Sequence, residues 1–404
     1  MVTNVLLIDD EHPYGVTRTI IFSGGIIADV RDDSGPSADT IIDGQGKTMI
    51  PGLIDAHFHA YASEFDGFGI DSSPTSYVAL QGARKLREAL HRGFTTVRDV
   101  AGGDLGVQRA LARGVIDGPD YFFTGPALSQ TGGHGDSRHP GVEACAHHQH
   151  MGEVVDGVDN VRRVVRERLR GGAHAIKVMA SGGVSSQADP LRAPQYSIKE
   201  LEAAVEEAQQ HGTYVTVHAY TAEAVQRAIH AGVQCVEHGN LIDDLTIELM
   251  AEKGTALVPT LSAYEAMERR GHQVGMSQES RTKNSVVLEH GRRAARAAYD
   301  AGVPVGFGTD LMGDLDDEQL TGLCIQSQVL GFHAALTSAT RVNAAILGLP
   351  DRGRLAPGMR ADAVLIQGDL RRNPELLWDS QATRKVFLAG RQIGSEPEYV
   401  RLHM

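Results

Sequence analysis

Between residues 53 and 308 the chain alternates short apolar runs, rich in β-branched residues, with longer stretches of helical periodicity. The runs fall at 53–60, 95–100, 121–125, 175–180, 214–219, 235–238, 256–259 and 303–308. Each is too short for a helix and continuous enough for a strand buried on both faces. Between them lie segments such as SYVALQGARKLREALHRG, VDNVRRVVRERLRGG and SIKELEAAVEEAQQHG, with apolar positions recurring every three or four residues. The last opens on a capping box, Ser197 with Glu200, and stops at Gly212. Eight strands alternating with helices predict an α/β fold, a (β/α)8 TIM-type barrel. A doubly wound sheet also alternates, but seldom needs eight strands.

The ends have a different pattern. VLLID, TRTIIFSGG, GIIADV and TIIDGQGKTMI at the start, with GRLAPGMRADAVLIQGD and KVFLAGRQI near the finish, are short strands separated by turn residues. They predict a small β-sandwich domain built from residues 1–50 plus 351–404, around a barrel over 51–350.

A length of 404 residues suits a large barrel or two domains, and 46 glycines suit many tight turns. The formal charge of −13, without a basic cluster, argues against nucleic acid or an anionic membrane as partner. Cys145, Cys235 and Cys324 are widely spaced and odd in number, as expected of unpaired thiols in a reducing compartment. The N-terminus lacks a basic region and a long apolar run, and no stretch reaches membrane-spanning length, so a cytoplasmic protein is expected.

Metal-ligand residue types sit at the ends of the predicted strands, where a barrel enzyme carries its active site. The first run ends Asp55-Ala56-His57-Phe58-His59; residues two apart on a strand share a face, so both imidazoles point together. The fourth carries Lys177 inside an apolar run, the fifth His218, the sixth Glu237-His238, and the eighth leads to Asp310. Four imidazoles with anionic oxygens suit Zn²⁺ or a similar ion. An ammonium would repel such ions, but burial lowers a lysine's pKa, and the free amine can take up CO₂ to form a bridging carbamate.

The phrases PGLIDAHFH, FTTVRD, IKVMASGG, TVHAY, CVEHG, GFGTD and LAPGMRADAVLI together resemble the amidohydrolase superfamily, in its binuclear subtype with a carboxylated lysine. LSQTGGHGD and IKVMASGGV resemble the Xaa-Pro dipeptidase (prolidase) and carboxypeptidase branch. The resemblance implies two divalent ions, one on His57, His59 and Asp310, the other on His218 and His238, with carboxylated Lys177 bridging. It implies amide hydrolysis of a dipeptide or N-acyl amino acid by a metal-bridging hydroxide, with Asp310 moving the proton to the leaving nitrogen. Relatives often form homo-oligomers.

Tyr220 and His134 are expected to be catalytic beside Asp310, Tyr220 donating to the substrate carbonyl or oxyanion and His134 contacting the substrate. Arg138 and Arg192 are expected to clamp a carboxylate. Asp55 and Asp99 are expected to orient ligand histidines or cap the barrel. The Ser181-Gly182-Gly183 loop could offer N–H donors, and Asp189, Glu237 or Asp314 near the mouth would favour a basic substrate. His147, His148 and His150 read as a solvated loop. Alternatives are an amidase for basic or bulky aryl N-acyl amino acids, a mononuclear cyclic-amide hydrolase or deaminase of the imidazolonepropionase type, and a catalytically silent scaffold.

Overall fold

The computed structural model describes residues 1–33, 38–138, 150–186 and 189–394. Its centre is parallel sheet. Leu53–Phe58, Phe94–Asp99 and Asp120–Phe123 form one ladder. Gly152–Val154, Ala127–Ser129, Ile176–Met179, Val215–Thr221, Cys235–Leu241 and Ala256–Val258 form a second, in that spatial order. Leu53–Phe58, Phe94–Asp99, Ile176–Met179 and Val215–Thr221 are buried at every residue, because helices cover the faces that strands alone would leave wet. Those helices include Thr75–His91, Val158–Arg170 and Ile198–Gln210, the last with the capping box read from the sequence. Ala127–Ser129 and Gly152–Val154 were not among the predicted runs; each has three residues, too few to show a period.

The eighth predicted run is extended rather than a regular strand. Its backbone reaches both ladders: Gly306 N–H donates to Leu257 O (2.8 Å), Ala56 N–H to Phe307 O (3.0 Å) and Asp310 N–H to His57 O (2.8 Å). Pro304 has no N–H, and the Asn343 side chain takes ladder positions, accepting from Phe307 N–H and donating to Ile54 O. A Cβ at Gly308 would lie 2.5 Å from the His57 Cβ, so only glycine lets this segment pass the first metal-type histidine. At the other seam, His174 N–H donates to Phe123 O at 2.8 Å.

Both termini contribute to one eight-stranded sheet, in which Lys47–Pro51 lies between Ala363–Gln367 and Val2–Leu7. Ile26 at one end bridges Arg360, and Ile27 N–H donates to Met359 O. Val5, Leu7, Ile20, Met49, Leu365 and Phe387 share the enclosed apolar core. Cys235 and Cys324 are unpaired; Cys145 lies outside the described residues. Among the described residues no helix is long and apolar enough to cross a membrane.

His174 gives a stability test of the seam. Its ring packs on Phe122, Nε2 donates to Leu347 O at 2.9 Å, and burial holds its pKa down at about 4. The folded state therefore binds fewer protons than the unfolded chain, and stability falls as pH drops from the ordinary value of 6.5 toward 4. Between pH 7.5 and 5 this costs roughly 2 kcal/mol. Urea unfolding of His174→Gln, which keeps a donor, should lose that pH-dependent increment.

Candidate active site

The strand ends meet in one cavity of about 540 Å³, lined by His57, His59, Lys177, His218, His238 and Asp310 among others. Asp310 Oδ1 lies 2.8 Å from His59 Nε2 and 3.2 Å from His57 Nε2. Ligand atoms of His57, His238 and Asp310 fall within 4.8 Å of one another. The His218 and His238 rings are 4.4 Å apart. His218 Nε2 is engaged by Gly182 O (3.1 Å), leaving Nδ1 to the cavity; His238 Nδ1 is engaged by Thr260 and Tyr264 (2.8 Å each), leaving Nε2. His238, Thr260 and Asp310 have φ of 76°, 45° and 54°. Such left-handed backbone costs non-glycine residues about 1–3 kcal/mol each, and here it turns their side chains at the strand ends.

The electrostatics fit a cation-binding site. Lys177 Nζ is buried with no hydrogen-bond partner among the described residues, and burial pulls its pKa down to about 8. Burial, with neighbouring imidazoles, keeps His218 and His238 well below the usual histidine range and therefore neutral. Burial would raise Asp310, but His57 and His59 hold it well below the usual carboxylate range. Against burial, Asp310 and Glu237 raise the His57 pKa. The neutral imidazoles of His218 and His238, an ionised carboxylate and an amine without a partner among the described residues form a donor set suited to a borderline divalent ion. The amine joins that set only once converted to an anion.

Beneath the cavity lies a buried ion pair. Glu237 accepts from Arg98 at 2.6 Å, from His57 Nδ1–H at 2.7 Å and from the Thr216 hydroxyl, and these partners hold it ionised against burial. Glu237 is thus the carboxylate that fixes the His57 tautomer, rather than an acid at the mouth. Asp55 instead ties the first strand to the eighth segment, accepting from Thr309 and Gln319, and Asp99 accepts from Tyr121 and Ala60. Neither touches a ligand ring in these contacts. Glu237→Gln leaves the Arg98 guanidinium without its counter-charge in a fully buried position, a loss of about 3–5 kcal/mol. The urea midpoint of metal-free protein measures it.

The residues expected to face substrate divide. Tyr220 lines the cavity, its phenol kept neutral by burial. His134 lines it too, stacked on His218 with centroids 4.2 Å apart and Nδ1 3.9 Å from Asp189. Gly183 makes room for that ring, since a Cβ there would lie 2.0 Å from it. Arg138 lines the rim but is held bidentately by Asp136. Arg192 borders a separate depression with His290 and Arg293, so the expected clamp loses this member. Asp189 is buried, bonded to Gly183 N–H and Gln195, while Asp314 is exposed; neither lines the cavity, nor does Glu237. Gly182 and Gly183 spend their N–H groups on Ala193 O and Asp189. His150 is buried against Tyr61 rather than solvated; His147 and His148 lie outside the described residues. An apolar wall of Phe65, Phe68, Met267, Met312 and Leu315 completes the cavity.

The chain is similar to proteins of known activity. A prolidase solved in complex with N-methylphosphonate-L-proline superposes with a TM-score of 0.94 at 38% identity, over 98% of this chain and 99% of that one. A Xaa-Pro dipeptidase with methionine bound in its active site gives 0.87 at 29%, over 98% and 99%. The ochratoxinase of Aspergillus niger is 32% identical over 361 residues, covering 85% of this chain and 75% of its own. These TIM-barrel-type neighbours share the mixed α/β content described above. Residues 48–393 match the amidohydrolase family, and the chain belongs to that family as a hydrolase whose homologues act on amide bonds.

Proposed function

We propose that this chain hydrolyses the amide bond of a dipeptide or N-acyl amino acid, in the manner of an Xaa-Pro dipeptidase, with two divalent ions held by His57, His59, Lys177, His218, His238 and Asp310. The convergence of these six residues on one cavity, with Lys177 Nζ buried and without a partner among the described residues, carries the reading. Zinc is the ion the donors suit, and a CO₂-derived carbamate on Lys177 would supply the anionic ligand that the amine itself cannot. Bound there, the ions contribute Lewis-acid polarisation of a carbonyl and a water acidic enough to react near neutral pH. Asp310 accepts a proton at its carboxylate and returns it to the leaving nitrogen, without which an amide cannot release its amine. Tyr220 donates toward the carbonyl oxygen, and His134 contacts the rest of the substrate.

The reading includes a closed barrel over 51–350, with 303–308 as its eighth strand, and a terminal sheet of 1–50 and 351–404 folded on itself as a sandwich. The backbone bonds from Gly306 and Ala56, and the Ile26–Arg360 bridge, support it. The apolar wall favours a second substrate class, N-acyl amino acids with a bulky aryl acyl group. Zinc-loaded protein is assayed against Xaa-Pro dipeptides and N-aroyl amino acids, with free amino acid measured. Release is expected from at least one class; no release from any member overturns the proposal. Two zinc ions per chain, rather than one, separate it from a mononuclear deaminase.

A further inference from the structure

Behind His238 lies a run of hydroxyl groups that the proposed chemistry does not use. Thr260 follows the strand Ala256–Val258, and Tyr264 stands in the helix Leu261–Arg270; both are buried. Thr260 Oγ1 and Tyr264 OH each lie 2.8 Å from His238 Nδ1 and 3.1 Å from one another. Tyr264 OH donates to Tyr220 OH at 3.0 Å. Tyr220 lines the cavity and stacks on the His238 ring, with centroids 5.1 Å apart at 26°. Thr260 is β-branched and sits at φ 45°, an outlier that places its hydroxyl on the imidazole.

We propose that Thr260 and Tyr264 are positioning residues that transmit the tautomer of His238 to Tyr220, so that a metal on His238 Nε2 obliges the Tyr220 hydroxyl to donate into the cavity. The proposal rests on the reading above, that His238 holds a metal and Tyr220 faces the scissile carbonyl.

A proton count gives the direction. With the Nε2 lone pair committed to a metal, the ring proton sits on Nδ1 and donates to Thr260 and Tyr264. Thr260 has one proton, which goes to the Tyr264 oxygen, and Tyr264 has one, which goes to the Tyr220 oxygen. The Tyr220 proton then has no acceptor in the chain of hydroxyls and points into the cavity. With the proton on Nε2, Nδ1 accepts instead and Tyr264 is free to spend its one proton there, which lets Tyr220 donate to Tyr264 and turn a phenol lone pair to the cavity. A metal on Nε2 removes that second arrangement and leaves Tyr220 a donor.

A double-mutant cycle on Tyr220→Phe and Tyr264→Phe tests this, with the fastest substrate of the panel as probe. Tyr264→Phe is expected to lower kcat about tenfold, the loss of one oriented hydrogen bond, and Tyr220→Phe to lower it further. The double variant should be no slower than Tyr220→Phe, since no phenol remains to orient. A second readout needs no turnover. Zinc affinity, measured by competition with a chromogenic chelator, should fall about 10- to 100-fold in Thr260→Val and return in Thr260→Ser. Multiplicative losses in the cycle, or wild-type zinc affinity in Thr260→Val, overturn the relay. Wild-type kcat in Tyr220→Phe removes the reading of Tyr220 itself, and the relay with it. If Tyr264→Phe does not fold, Thr260→Val replaces it in the cycle with the same expected non-additivity.

Discussion

Asp310→Asn is expected to lower kcat by about four orders of magnitude, the largest loss from any isosteric change in the site. The carboxylate has two roles that an amide cannot share. It lies 2.8 Å from His59 Nε2 and 3.2 Å from His57 Nε2, where its charge faces both rings. It stays ionised despite burial, so a proton acceptor is present at neutral pH. Its backbone is held in place by an N–H bond to His57 O, so the side chain meets the reacting groups at a fixed position. Asparagine keeps the shape and one acceptor oxygen, so the fold should be retained, as judged by circular dichroism and thermal midpoint. It cannot take a proton and return it to a leaving nitrogen. Activity within tenfold of wild type would show that another group moves that proton, and would exclude the catalytic role given to Asp310.

Much of this site was legible in the sequence because strand geometry converts spacing into direction. His57 and His59 are two apart on one strand, and Lys177 interrupts an apolar run that no surface strand would bury. Position in a strand failed where the backbone departs from extended geometry within it. Glu237 and His238 are adjacent, and regular alternation would send them to opposite faces; instead Glu237 lies beneath His57 while His238, at a left-handed φ, reaches the cavity. A positive φ at a non-glycine residue has no sequence signal, and the same holds for Thr260, whose hydroxyl contact was not read. Arg192 and Asp189 illustrate a second limit. Loop residues at similar distances from strand ends diverge to different surfaces, and only tertiary packing decides which face the cavity.

Lys177→Met should move activity and stability in opposite directions, which a lysine of purely structural use cannot do. Methionine matches the stem and is tolerated in irregular apolar space. The wild-type amine is buried among Glu237, Asp310 and Arg98 charges without a hydrogen bond among the described residues. Removing it from metal-free protein deletes an unsatisfied buried group, a gain of about 1–3 kcal/mol that a raised urea midpoint would record. A structural lysine would lose stability instead. In zinc-loaded protein the same change removes a candidate bridging anion, so bound zinc should fall from two ions toward one and kcat/KM by about 10³-fold or more. Lys177→Ala leaves space for a small carboxylate, and added acetate or propionate should restore part of the second zinc and of the rate. Retention of two ions and full activity in Lys177→Met would show that the amine is never an anionic ligand, and the site would then be read as four histidines and Asp310 alone.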